Sequence, residues 1–262
     1  MRVTYDLHAH TLLSGCADKT ATIPNYVKSA KRLGLETVGI ADHMWDTRHI
    51  PGAPEWHGTL EGCRKSLETL RQTDLEGVRF LFGGEVEYCK GVGAAISPEE
   101  AQKLDFVLAP NSHMNITIGD GYVNSFQFYA DYMLQAAMDI CTAPAAEWIT
   151  ASPHPFSPVC CPYQSDFIVN KITDEQFLEV FSAMREKNIA AELNSGEFFN
   201  KPDTEIKNGF MFRILTLAKK AGCKFTFGSD SHSDERREQD GIVACGKVAE
   251  LLVLTEEDIL RF

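Results

Sequence analysis

The sequence predicts an α/β protein, a closed parallel barrel of seven strand–helix units forming one domain over residues 1–262. Three observations predict it. Short runs of branched and aromatic residues alternate with amphipathic stretches, recurring about every 35–40 residues, as a parallel sheet with crossover helices requires. The chain has 262 residues, and an eight-unit barrel typically takes ~250. No linker rich in Pro, Gly or Ser and no low-complexity tract divides it.

The strands are read at residues 2–7, 37–41, 79–86, 106–110, 148–152, 189–193 and 224–228. Among the helices between them, 24–33 has Pro24 in its first turn and Gly34 as its stop. The helix at 175–187 follows Thr173-Asp174, a good cap, and lines up Phe177, Val180, Phe181 and Met184 on one face. A third, 210–221, ends at Gly222.

Composition narrows the function classes. The chain is 44% hydrophobic and 24% charged, ordinary globular usage that rules out disorder. Its net charge of −12 argues against a general nucleic-acid binder, which needs basic side chains for phosphates. No apolar run approaches the ~18 residues of a membrane span. The opening MRVTYDLHAHT puts Asp6 and two histidines where a signal peptide would be apolar. The 8 cysteines are scattered without a CxxC pair, as reduced thiols are. A cytoplasmic location is expected. Oligomeric state has no signature in the sequence.

The functional signal is positional. His8 and His10 follow the first strand, His43 the second, and Glu85 closes the third. His113 lies past the fourth, His154 past the fifth, and Asp230 and His232 past the seventh. In a parallel barrel these strand ends share one face, where active sites sit. Any one of these histidines alone is more often a cap or a hydrogen-bonding residue. Independent structural roles would not confine them all to one rim. Imidazole and carboxylate are standard ligands of Zn, Mn and Fe. His8-x-His10 on an extended segment puts both rings on one side, and Asp230-x-His232 repeats the arrangement.

So many donors exceed the needs of one ion, which implies two or three divalent transition-metal ions, with a carboxylate such as Glu85 bridging. Three such ions would bring six positive charges against two from Glu85 and Asp230, leaving an excess that suits hydroxide and a phosphate. A small phosphorylated substrate follows.

The chain resembles the PHP (polymerase and histidinol phosphatase) family of metal-dependent phosphoesterases. The resemblance rests on Asp6-Leu7-His8-Ala9-His10-Thr11, Ala41-Asp42-His43, Gly84-Glu85, Ser112-His113, Pro153-His154-Pro155, Glu192-Leu193-Asn194 and Gly228-Ser229-Asp230-Ser231-His232. It implies a distorted TIM-like (β/α)7 barrel with a trinuclear site. By analogy, His8, His10, Glu85 and Asp230 would hold the first ion, His43 and His232 the second, and Glu85, His113 and His154 the third.

Two departures from the family pattern stand out. Many members carry another His six positions after the second His of the first motif, where this chain has Cys16. Cys16 is either a softer, thiolate ligand or a small buried thiol. Asp18 is a fallback ligand or a solvated loop carboxylate. Members acting on histidinol phosphate tend to carry an Arg after the His-Pro of the fifth strand end and a basic residue near the sixth. This chain reads Phe156-Ser157 and Asn194-Ser195-Gly196-Glu197 there.

Three long loops leave the same rim, at 44–58, 114–124 and 156–171. The first carries Trp45 and Trp56, either a stacking lid or a self-anchored loop. Arg48, Arg236 and Arg237 are candidate phosphate clamps, with solvated surface charge as the plainer alternative. Asn194 is a candidate substrate contact or a strand-end cap. The expected reaction is hydrolysis of a phosphomonoester by a metal-activated hydroxide, with no side-chain nucleophile required. Its rivals are a histidinol-phosphate phosphatase, an amidohydrolase-like enzyme acting on C–N bonds, and a non-catalytic PHP module.

Overall fold

A computed structural model describes the chain except for residues 54–59, 115–122, 160, 162 and 237 and the side chains of 60, 61 and 63. The strands are β1 (Tyr5–Ala9), β2 (Thr37–Ile40), β3 (His43–Met44), β4 (Arg79–Val86), β5 (Tyr88–Cys89), β6 (Gly93–Ala94), β7 (Phe106–Leu108), β8 (Ala151–Ser152), β9 (Ala190–Asn194) and β10 (Phe225–Gly228). The helices are α1 (Ile23–Leu33), α2 (Leu60–Gln72), α3 (Pro98–Ala101), α4 (Phe126–Thr142), α5 (Ser165–Val169), α6 (Asp174–Glu186), α7 (Asp203–Asn208), α8 (Phe210–Ala221) and α9 (Val243–Leu251).

All the predicted strands form, and they pair in parallel in the order β1-β2-β4-β7-β8-β9-β10. The path is a nearly closed seven-strand α/β barrel in a single domain, as the sequence predicts. β3 prolongs the line of β2, since Ile40 pairs with Phe82 and His43 with Glu85 on the same strand β4. The antiparallel hairpin β5–β6 stands outside the barrel.

Closure is where the barrel is distorted. Among the described residues, β1 and β10 lie side by side but exchange backbone hydrogen bonds only past the end of β10, through Asp230 N–H to the His8 carbonyl at 2.8 Å and His10 N–H to the Ser231 carbonyl at 2.9 Å. Below that point the buried Asp6 carboxylate accepts from Ser229 N–H at 2.9 Å and from Ser229 Oγ at 2.6 Å. A side chain thus takes donors that a regular ladder would give to a carbonyl.

Local rules explain the helices. α1 carries Pro24 in its first turn and ends on Gly34 at φ 71°, a left-handed cap open to glycine. Thr173 and Gln176 form a reciprocal capping box on α6, whose buried face is Phe177, Val180, Phe181 and Met184. Several predicted strand boundaries move by one or two residues, and two move by three. Trp148 falls in the 3-10 turn Ala146–Trp148 rather than in a strand, because its N–H closes on the Ala145 carbonyl at 3.0 Å. Residues 2–4 precede β1, whose pairing with β2 starts at Tyr5 opposite Thr37. The segment 156–171 also contains α5. Leu7, Ile40, Phe106, Phe177, Phe181 and Phe225 are fully buried, so the core lies between the sheet and its helices. Among the described residues no helix is long and apolar enough to cross a membrane.

Candidate metal centre

The C-terminal strand ends deliver all eight predicted donors into one cluster. Their donor atoms fall into overlapping groups: His8, His10 and Asp230; His8, Glu85 and His154; His43, Glu85 and His113; and His10, Cys16, His43 and His232. Within each group the donor atoms lie within 4.8 Å of one another. The period-two geometry of β1 puts His8 and His10 on one side, with their Nε2 atoms 3.0 Å apart.

Glu85 stands at the centre, 1% exposed. Its Oε1 lies 3.0 Å from His154 Nε2 and 3.4 Å from His113 Nε2. Its Oε2 lies 3.5 Å from the Nε2 atoms of both His8 and His10, and 3.2 Å from His43 Nδ1. The two oxygens therefore serve opposite halves of the cluster. Asp230 Oδ1 lies 3.2 Å from His10 Nε2 and 3.4 Å from His8 Nε2.

Behind the rings, every Nδ1 has a partner. His8 Nδ1 meets Glu192 Oε1 at 2.9 Å, and His10 Nδ1 meets Ser14 Oγ at 3.0 Å. Glu87 takes two rings, His43 Nδ1 on Oε1 at 2.9 Å and His113 Nδ1 on Oε2 at 2.7 Å. His154 Nδ1 meets Ser112 Oγ at 2.9 Å, and His232 Nδ1 donates to the Asp230 carbonyl at 2.8 Å. Such partners fix ring orientation and tautomer and leave Nε2 as the donor, the arrangement usual around bound metals.

Sequence reasoning missed these supports. Glu87 and Glu192 are both fully buried, Glu87 just past the end of β4 and Glu192 within the apolar run of β9. That oddity was the available signal. Glycine makes room for one of them, since a Cβ on Gly228 would lie 2.0 Å from Glu192 Oε1 and 2.8 Å from His8 Cβ.

The electrostatics fit a cation. Burial pushes the Glu85 carboxyl up, but His113, His8 and His43 outweigh it and hold the group well below its usual range. Asp230 is lowered in the same way, chiefly by His8 and His10 against burial. Burial lowers His10 well below its usual value, with His232 and His43 adding repulsion, so its ring stays neutral. Burial lowers His8 too, but Glu192, Asp230 and Glu85 outweigh it, and Glu85, Asp230 and Cys16 do so among His43, His154 and His232. These four rings hold protons more firmly than usual, and a divalent cation would take the place of those protons. Backbone strain marks the same place, because His154 at φ 28° and Asp230 at φ 55° occupy the left-handed region without being glycine.

Cys16 is exposed rather than packed in the core, so the buried-thiol alternative does not hold. Burial alone would raise its pKa, but hydrogen bonds with His232 and His43 bring it down to about 6. Asp18 does not join the cluster. Its carboxylate takes Thr20 N–H at 2.7 Å, and its N–H donates to the His232 carbonyl at 3.0 Å, which ties the loop to that ligand.

The substrate candidates fare differently. Asn194 proves to be a strand-end cap, donating to Glu192 Oε2 at 2.9 Å and accepting from Gly196 N–H at 3.0 Å. Arg236 is surface-exposed and paired with Glu238 at 3.1 Å. Arg48 is exposed, and Arg237 lies outside the described residues, as do Trp56 and Cys160. Trp45 is buried and its Nε1 donates to the Ile50 carbonyl at 2.8 Å, so the 44–58 loop is anchored by its own aromatic there.

Comparison with known proteins decides the lineage. The family model of the PHP domain matches residues 6–196. The chain belongs to the PHP family. It is thereby a metal-dependent hydrolase. A probable phosphatase of Clostridium acetobutylicum is 25% identical over 88% of this chain and 80% of its own length. One of Clostridium novyi is 27% identical over the same shares. Among solved structures, a histidinol phosphate phosphatase of Lactococcus lactis, complexed with zinc, L-histidinol and phosphate, superposes with a TM-score of 0.65 at 20% identity. That match covers 96% of this PHP chain and 94% of the other. A putative histidinol phosphatase of Listeria monocytogenes superposes with a TM-score of 0.62 at 15% identity, covering 89% and 97%. At these identities the superpositions establish the shared barrel.

Proposed function

We propose that this PHP protein is a phosphatase that releases phosphate from a small phosphomonoester at a centre of two or three divalent transition-metal ions. The observation that carries the reading is the convergence of six imidazoles on Glu85 and Asp230, each Nδ1 already engaged behind its ring. The phosphatase names of its relatives supply the reaction class.

His8, His10, Asp230 and Glu85 would hold one ion, Glu85, His113 and His154 another, and Cys16, His43 and His232 a third. Bound there, such ions supply Lewis acidity toward phosphate oxygens and make water a nucleophile near neutral pH. The protein's own part is orientation. Glu85 spans the two halves, Glu87 locks His43 against His113, and Glu192 locks His8 while accepting the His154 N–H at 3.0 Å. Six described cysteines are free thiols, which fits the cytoplasm.

Histidinol phosphate is the less favoured substrate. After the fifth and sixth barrel strands, Ser157 hydrogen-bonds the Glu197 carboxylate where relatives of that specificity tend to carry basic residues. A carboxylate there repels a phosphate rather than clamping it.

The test is phosphate release from a panel of phosphomonoesters, histidinol phosphate included, by protein loaded with zinc, manganese or ferrous iron. Metal-dependent release, abolished by chelation, is expected. Cleavage of amide substrates without phosphate release would establish the C–N rival. Inactivity on both panels in fully loaded protein would establish the non-catalytic module.

A further inference from the structure

The donors at this rim differ in kind. Three of the four groups contain a carboxylate, either Glu85 or Asp230. The group of His10, Cys16, His43 and His232 contains none, and brings a sulfur instead. His10 Nε2 is committed elsewhere, 3.0 Å from His8 Nε2 and 3.2 Å from Asp230 Oδ1. What remains is Cys16, His43 and His232, with the thiol exposed, His232 half-buried and His43 buried beneath them. Two imidazoles and a thiolate form a soft set of three, with a fourth position open as in catalytic zinc sites.

The chain holds that sulfur in place from both sides. Before it, Ser14 accepts from His43 N–H at 3.0 Å and meets His10 Nδ1, and Gly15 at φ 73° turns the chain outward. After it, Asp18 N–H donates to the His232 carbonyl at 3.0 Å. The residues flanking Cys16 are therefore tied to the same histidines that share its donor group. The remaining described cysteines take no part in these donor groups.

The geometry points to a mixed-metal centre, in which Cys16, His43 and His232 select a thiophilic divalent ion such as zinc, while the carboxylate-bearing positions accept a harder ion such as manganese or iron. Zinc outcompetes manganese and iron at nearly any nitrogen, oxygen or sulfur site, so the selection shows only when zinc is limiting. The sulfur raises the contrast at one position out of three. This rests on the metal-dependent reading above and assigns one of its ions a chemical identity.

Cobalt(II) alone serves as the probe, titrated into the full chain after chelation. A thiolate-to-cobalt charge-transfer band in the near ultraviolet is expected, saturating at about one ion per chain. One equivalent of zinc should abolish it, and excess manganese should leave it. Cys16→Ser should lose the band and bind about one ion fewer, while Cys16→His should lose the band and keep the ion count. The His variant thereby separates loss of sulfur from loss of fold. Cobalt binding without the band, a band that survives Cys16→Ser, or displacement by manganese as readily as by zinc would overturn the assignment. Failure to bind cobalt, zinc or manganese at all would sink both this and the metal-dependent reading. Phosphate release with no band would sink this one alone.

Discussion

Tyr5 and His8 lie three residues apart on β1, one at the apolar lower end of the barrel and the other in the polar cluster above. At the lower end Tyr5 packs against Phe227 and Phe262, with ring centroids at 5.3 and 5.4 Å. Charges there sit at the surface in ordinary pairs, such as Arg2 with Glu36 and Arg261 with Glu256. At the upper end Glu85, Glu87, Glu192, His8 and His10 are almost wholly removed from solvent. Burying charge costs free energy unless it is paired and hydrogen-bonded, and the left-handed His154 and Asp230 add strain. Apolar packing therefore stabilises the molecule, and that stability sustains the cluster. The two ends should respond to substitution in opposite ways, with function lost above and stability lost below.

The largest effect should come from Glu85→Gln, which removes the one carboxylate facing both halves of the centre. Phosphatase kcat/KM is expected to fall at least about a thousandfold, together with loss of bound metal. His10→Ala and Asp230→Asn should follow it, each with far-ultraviolet circular dichroism close to wild type. Elemental analysis and turnover check all three, and wild-type-like turnover in any variant would remove that residue from the site. A collapse of the circular dichroism would show instead that the upper end is part of what holds the barrel together.

A smaller loss is expected one layer back. Glu87→Gln and Glu192→Gln leave every direct donor in place but weaken the grip on His43, His113 and His8. Metal affinity should drop about 10- to 100-fold, read by competition with a chromophoric chelator. An unchanged affinity would mean that ring orientation is set by packing alone.

The same contrast explains what could be read from the sequence. Strand existence was legible because the short runs are rich in branched and aromatic residues and bounded by turns, and the clustering of the eight candidate donors was legible because barrel polarity sends all strand ends to one face. Glu87 and Glu192 were given no role, although Glu192 stands in one of the quoted motifs, since nothing in the sequence pairs a carboxylate with the ring it serves from behind. Closure through Asp6 was hidden because its partners Ser229 and Gln239 are more than two hundred positions away. Asn194 stayed open between a substrate contact and a strand-end cap because the two share residue types and positions, and its hydrogen bonds are those of a cap.

At the exposed edge the expected change is a few-fold one, and it depends on pH. In metal-free protein the Cys16 pKa is about 6, and burial pushes Cys89, Cys141, Cys161, Cys223 and Cys245 upward. A lowered thiol pKa keeps the reactive thiolate present down to that value, so alkylation of Cys16 by iodoacetamide should fall only as pH drops through about 6. At neutral pH it should react roughly two- to fourfold faster than an ordinary exposed thiol, the gain in thiolate being partly offset by weaker nucleophilicity. Peptide mapping by mass spectrometry checks the site. An inflection near the usual thiol range would show that the His232 and His43 contacts do not form in solution.

The smallest functional effect should come from the lower end. Tyr5 Oη donates to the Leu260 carbonyl at 2.9 Å, tying β1 to the C-terminal segment. Tyr5→Phe keeps the ring, and with it the packing on Phe227 and Phe262, while leaving that carbonyl without this donor. The expected cost is about 1 kcal/mol of unfolding free energy, measured by urea denaturation with an unchanged slope. Turnover and metal content should stay within about twofold of wild type, because Tyr5 belongs to none of the donor groups. A large loss of activity with only that small loss of stability would mean that the lower end of β1 sets the position of His8, three residues on. The two ends would then be mechanically coupled along the strand rather than separable.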